Sequence, residues 1–265
     1  MGGIRRGWNV RRSVCGGIVA SALVFVVAGC QEGVIPVDPA ASPPAAAGAG
    51  TTGPGTTGPA AQPTQATVAP ARILHAGDYV LTAGEETAGF ESSGGADEDS
   101  DSSAIRAQVA ACVGVPDYNP SPPSDETTGD TFTNTEESDF QAISRAKILP
   151  ESQIRQNAEI VTSPGFGDCY RTALEDQLAG EDENGFTYEI VAVETPPPPR
   201  GATALVRTSM GITDEYGTYG YVFDTIYFYV GQVAVELDVT NIQDVPPPVI
   251  EQGLIDQIAD KLTDQ

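Results

Sequence analysis

Of the thirty-two residues from Pro39 to Pro70, 28 are Ala, Pro, Gly or Thr, and none carries a charge. No arrangement of such a stretch buries enough apolar surface to offset the entropy of ordering it. It contains a small repeat, Thr51-Thr52-Gly53-Pro54-Gly55 followed by Thr56-Thr57-Gly58-Pro59-Ala60, whose threonines are candidate sites for O-linked sugars. We therefore expect residues 30–70 to be a disordered linker and the foldable part of the chain to be residues 71–265. As a coil, such a linker reaches roughly 35 Å, and fully extended roughly 120 Å.

Ahead of the linker, Arg5, Arg6, Arg11 and Arg12 precede an apolar run from Val14 to Gly29. A basic segment followed by an apolar one of this length predicts a signal peptide over residues 1–29. The run ends Val27-Ala28-Gly29-Cys30, which resembles the bacterial lipobox, whose cysteine is diacylated and becomes the first mature residue. Cys30 is thus the expected lipidation site, and the chain is expected on the outer face of a cell membrane, held by its lipid. Cys15 would leave with the signal, so Cys112 and Cys169 remain. Outside the cytoplasm two such thiols are expected to pair. Closing that loop stabilises a fold by about 4 kcal/mol in the chain-entropy treatment. There is no CxxC redox motif, so the bridge reads as structural.

The whole chain has 37 acidic and 13 basic residues and a formal charge of −24. Removing residues 1–29 takes away four arginines and no acids, so the mature charge is −28 (37 acids against 9 bases). Such a surface excludes nucleic acid and electrostatic docking on anionic lipid. The single His75 leaves no His-rich metal site and at most one imidazole for triad chemistry. Fourteen of the acids lie between Glu85 and Asp139, with Arg106 the one base among them. Asp97-Glu98-Asp99-Ser100-Asp101 and Gly180-Glu181-Asp182-Glu183-Asn184-Gly185 lack the alternating oxygen ligands and bidentate glutamate of a calcium loop. Both are expected to be solvated turns, and neither a metal nor a cofactor is expected.

Ordered elements are expected from about Ser103. Ile105, Val109 and Cys112 share one face of a helix over 103–113, capped by Ser102 or Ser103. A strand follows from Phe140 to Leu149, then helices over Glu151–Val161 and Gly167–Ala179. The second half is β-rich, with strands over 186–193, 202–212, 219–230 and 232–242, the last two joined through Gly231-Gln232 as a type II′ hairpin. Ile250, Leu254, Ile258 and Leu262 mark a closing helix whose apolar stripe faces the core. These elements predict an α+β domain, an antiparallel sheet of about five strands packed with helices and preceded by the disordered linker.

Three segments carry a family likeness: Ile143-Ser144-Arg145-Ala146-Lys147-Ile148, a strand ahead of a short helix; Pro164-Gly165-Phe166-Gly167-Asp168-Cys169; and the hairpin around Val230-Gly231-Gln232-Val233-Ala234-Val235 before a final helix. In this order they resemble the PknH-like extracellular sensor domains and LpqN-like secreted lipoproteins of actinobacteria, over roughly residues 71–265. The resemblance implies a Mog1/PsbP-like α+β fold with a curved antiparallel sheet, a helix-lined groove, and a bridge from the turn cysteine to an earlier one. It further implies binding of ligands or envelope partners rather than catalysis. The chain departs from the receptor-kinase members: it has no kinase domain, no apolar span after the signal and no second cysteine pair.

No nucleophile elbow, P-loop, dinucleotide-binding glycine pattern or zinc spacing occurs. Tyr219, Tyr221, Phe223, Tyr227 and Tyr229 recur at period two on one strand. They form either the lining of a groove for an apolar or carbohydrate ligand, or a sheet face covered by the terminal helix. The opposite face, with Val222, Ile226, Phe228 and Val230, is apolar apart from Asp224, so the strand is expected to be central. The function expected is that of a lipid-anchored lipoprotein with an extracytoplasmic, sensor-like domain that binds a ligand or partner, such as an envelope lipid or glycolipid. One alternative is a structural or interaction lipoprotein meeting a basic protein. The other is a carboxylate-dependent envelope hydrolase, although no acid pair stands out.

Overall fold

The computed structural model describes residues 73–95, 103–115, 117–136, 139–179 and 186–263. The signal segment, Cys30, the linker, both calcium-like stretches and Ser102 lie outside the described residues.

A 3-10 turn at Ala76–Asp78 opens the domain. Eight strands follow in chain order: β1 (Phe90–Ser93), β2 (Asp125–Thr128), β3 (Thr131–Asn134), β4 (Gln141–Ile148), β5 (Thr187–Glu194), β6 (Ala204–Asp214), β7 (Gly217–Val230) and β8 (Val233–Ile242). The helices are α1 (Ser103–Cys112), α2 (Glu151–Val161), α3 (Phe166–Leu178) and α4 (Pro248–Thr263). The strands form one antiparallel sheet in the order β1-β3-β4-β8-β7-β6-β5, with β2 alongside β4. The α+β class and the antiparallel sheet agree with the sequence reading. The strand count does not, because the sheet has eight strands rather than about five.

The three additional strands explain the difference. β1, β2 and β3 are each four residues long, and together contribute only Phe90 and Phe132 as large apolar side chains. Backbone ladders to neighbouring strands hold them, not an alternating pattern of their own. The residues before Ser103 are also part of the core: Ala76, Tyr79, Val80 and Leu81 are all buried. Between β2 and β3 the chain passes close over Val80 and Ser144. A Cβ on Gly129 would sit 3.0 Å from the Val80 Cβ and 3.2 Å from the Ser144 Oγ, so glycine permits the approach. The β7–β8 turn is as expected, with Val230 opposite Val233 and Gly231 at φ 55°.

Both sheet faces are covered. On one, Ile226, Phe228, Val233, Val235, Leu237 and Val239 pack under Leu254, Ile255, Ile258 and Leu262 of α4 and against Tyr79 and Leu81. That corrects the alternative in which α4 covers the tyrosines, because α4 lies on the opposite face. The tyrosine face receives the other helices, with Val109, Ala110, Ile160, Phe166 and Ala173 packed on Ala204, Val206 and Tyr227.

Candidate functional site

Three helices converge over the tyrosine face, and the sequence shows why each contributes. In α1 Ile105 and Val109 turn inward, with Val109 buried, whereas Cys112 at the end of the expected stripe is exposed. The Cys112 and Cys169 sulfurs are bonded, joining the last residue of α1 to the first turn of α3, with Cα atoms 5.8 Å apart. Phe166 and Tyr170, one turn apart on α3, stack with centroids 5.6 Å apart, and Phe166 meets Tyr227 edge-on at 6.2 Å.

Between these helices and the sheet lies a small, partly open cleft with a volume of about 50 Å³. Ile105, Val109, Ile160, Val161 and Phe166 form its apolar walls. Tyr170, Tyr227, Tyr229, Asn157, Arg106 and Glu236 bring polar atoms to it. Tyr227 and Tyr229 stack at 6.1 Å, nearly parallel. Asn157 is fixed from two sides, since its Oδ1 accepts from the Tyr118 hydroxyl at 2.9 Å and from Gln153 Nε2 at 3.0 Å.

Charge enters the cleft as a chain of matched pairs. Arg106 Nη2 donates to Glu236 Oε2 at 3.1 Å. Glu236 also lies 3.9 Å from Arg145, which pairs closely with Asp238, and Asp238 accepts from Thr225 Oγ1 at 2.9 Å. Burial, and then the neighbouring Glu236, push the Asp238 carboxyl up to about 6. Burial likewise raises the Tyr170 and Tyr229 hydroxyls, so both stay protonated and able to donate. The cleft can therefore hold an apolar group against aromatic faces and hydrogen-bond its polar end, while its ion pairs remain internally satisfied.

The tyrosine row is divided. Tyr227 and Tyr229 line the cleft, whereas Thr225, bonded to Asp238, interrupts the row. Phe223 packs instead against Leu174, Leu178 and Met210. Tyr221 stacks on Phe223 at 5.8 Å, and Tyr219 is 38% exposed at the far end. The structure thus brings two of the five residues to the cleft and leaves three outside it. Arg106, Glu236, Tyr170 and Asn157 escaped sequence reasoning. A period-two reading of β8 does place Glu236 and Asp238 on the tyrosine face, but nothing local reveals that α1 carries Arg106 to them.

A second charged group lies on the α4 face. Asp224 is fully buried and takes both the Nε (2.7 Å) and the Nη2 of Arg207. Beside it is Glu251 of α4, whose Oε1 has no hydrogen-bond partner. Burial, then Asp224, push Glu251 up to about 8. These two carboxyls converge in the core rather than in the cleft. Among the described residues no group of three or more His, Cys, Asp or Glu is placed to hold a metal ion. Nor is any described helix long and apolar enough to cross a membrane.

The fold and cleft define a layered α/β/α domain with an aromatic-lined recess. No family model matches the chain, and no curated protein is similar to it in sequence. Among solved structures it is similar to LpqN of Mycobacterium tuberculosis, described as involved in cell envelope biogenesis. The TM-score is 0.24 at 11% identity, covering 56% of this chain and 80% of that one. A likeness that distant assigns neither fold nor function.

Proposed function

We propose that the chain is a bacterial lipoprotein, held to the membrane through lipid on Cys30, whose extracytoplasmic domain binds a ligand in the cleft over Tyr227 and Tyr229. The cleft is the observation that carries this reading. Exposed apolar recesses lined by aromatic rings and a few fixed polar groups are the usual form of a small-molecule site. The Cys112–Cys169 bridge fits an oxidising compartment, and the basic-then-apolar start ending at Cys30 supplies the anchor.

The size of the site narrows the ligand. Pockets for drug-sized ligands are roughly 300–1,000 Å³, and this cleft is about 50 Å³. An acyl-chain end or a single ring enters, and the rest of the molecule lies along the open part. Binding is favoured over catalysis because the carboxylate in the cleft, Glu236, is held between Arg106 and Arg145. His75 sits elsewhere, near Asp125.

Native mass spectrometry of the intact chain, extracted from its envelope in mild detergent, tests this. The expected result is a retained mass beyond the Cys30 lipid, lost in Tyr229→Ala and in Val109→Trp, which fills the recess. If native and substituted chains carry only the same lipid, the cleft is not a ligand site. Cys30→Ser separately removes the anchor mass without touching the cleft.

A further inference from the structure

Two of the aromatic residues left outside the cleft, Tyr219 and Tyr221, belong to a different surface, which Tyr216 shares. β6 and β7 continue past the end of β8: the β7–β8 ladder stops at Tyr221–Ile242, while the β6–β7 ladder runs on to Asp214–Gly217. This protruding tip bears Tyr216, 80% exposed, and Tyr219, 38% exposed, with Tyr221 half-buried behind them. Carboxylates surround the rings. Asp214 Oδ1 accepts from the Tyr216 and Gly217 N–H groups at 2.7 and 3.0 Å, exposed Glu215 adjoins Tyr216 in the turn, and burial, then Asp139 and Asp214, raise the Tyr221 hydroxyl. The ion pairs of Arg106, Arg145, Lys147, Arg171, Arg200 and Arg207 all involve other acids.

We propose that this hairpin tip, with Tyr216, Tyr219 and Tyr221 framed by Asp139, Asp214 and Glu215, is a docking surface for an arginine-bearing segment of a basic partner protein. Charge and shape choose the occupant together. A guanidinium lies flat on a tyrosine face and its edge reaches a carboxylate, so one side chain uses both features. An anionic bilayer is repelled by the same carboxylates. Exposed tyrosines also present contact area at little conformational cost, which suits them to protein interfaces. The surface is separate from the cleft, so neither proposal depends on the other.

The test is calorimetric titration of the full chain with a short peptide of alternating alanine and arginine, at low and at physiological salt. Tyr216→Ala combined with Tyr219→Ala is expected to weaken binding roughly tenfold. Replacing the same two by Phe keeps the ring faces and is expected to keep affinity within about twofold, which also controls for folding of the hairpin. Glu91→Gln with Asp260→Asn lowers the negative charge elsewhere and is expected to have no such effect. The proposal is overturned if the alanine variant binds as well as the native chain, or if the distant acid variant weakens binding equally. Either result means diffuse attraction to an acidic protein. It is equally overturned if the arginine peptide does not bind while a neutral oligosaccharide or zwitterionic vesicles do.

Discussion

Glu251 shows what one buried side chain does to the pH response of the whole domain. Its carboxyl lies against Asp224, which is already committed to Arg207, and one of its oxygens has no partner. Burial and this neighbour favour the protonated form, up to about pH 8. The folded value therefore lies above the unfolded one, and the sign follows. The stabilisation is complete below pH 4.5, the ordinary value, and is lost as pH rises towards 8, at no more than about 1.4 kcal/mol per pH unit. Asp238 has the same sign over a lower window, from 3.8 to about 6. Thermal unfolding between pH 6.5 and 8 thus isolates Glu251. There the native chain should lose stability with rising pH, and Glu251→Gln should flatten that slope. An unchanged slope in the variant rules the assignment out. None of this was legible in the sequence, where Asp224 stood out only as a lone acid on an apolar face. Its partners Arg207 and Glu251 come from another strand and from a helix that α-helical periodicity alone assigns to the core.

At the scale of elements, α1 is the part most dependent on a few ties. It is joined to the sheet through Arg106 and the buried Val109 and Ala110, and to α3 through the Cys112–Cys169 bridge and a Gln108–Asp176 hydrogen bond of 2.6 Å. Cys112→Ser is expected to lower unfolding free energy by about 2–4 kcal/mol in denaturant titration. In hydrogen exchange, the α1 amides should lose protection well before those of β7 and β8. Uniform loss across the sheet would mean that the bridge supports the whole domain rather than this helix. Helices α1 to α4 and strands β4 to β8 were readable to within a few residues, because each carries its own periodicity and its own Gly or Pro punctuation. Strands β1 to β3 were not. Sequences such as Asp125-Glu126-Thr127-Thr128 look like solvated loop, and only pairing with Ile148 to Arg145 makes them a strand.

For the molecule as a whole, a row of tyrosines on one strand is ambiguous until the layers are known. Helices crossing half of that row turned it into two environments, a recess at Tyr227 and Tyr229 and an open tip at Tyr219 and Tyr221. Sequence spacing conveys which face a residue takes but not which helix lies above it. The opening segment was missed for a related reason, since its bonds reach across nearly the entire chain. Gln257 accepts from the Thr82 N–H at 2.8 Å and donates to the Thr82 carbonyl at 3.0 Å, and Lys261 donates to the Val80 carbonyl and to Thr82 Oγ1. Gln257→Ala leaves the Thr82 N–H unpartnered, while the Thr82 carbonyl keeps the Thr87 hydroxyl at 3.1 Å, and is expected to cost about 1–3 kcal/mol. Exchange at Leu81 and Thr82 should accelerate first, and unaltered exchange there would contradict the role given to Gln257.

That clamp has a mechanical meaning. Whatever the chain before Ile73 is tied to, any tension it transmits enters the domain along the segment from Leu74 to Thr82. The attachments there come one after another: Ala76 N–H to Asp125, Leu81 N–H to Ser144, then Thr82 to Gln257. Bonds arranged in series are loaded singly, so a pulled domain peels open from its first residues, one fastening at a time, while the sheet behind them stays intact.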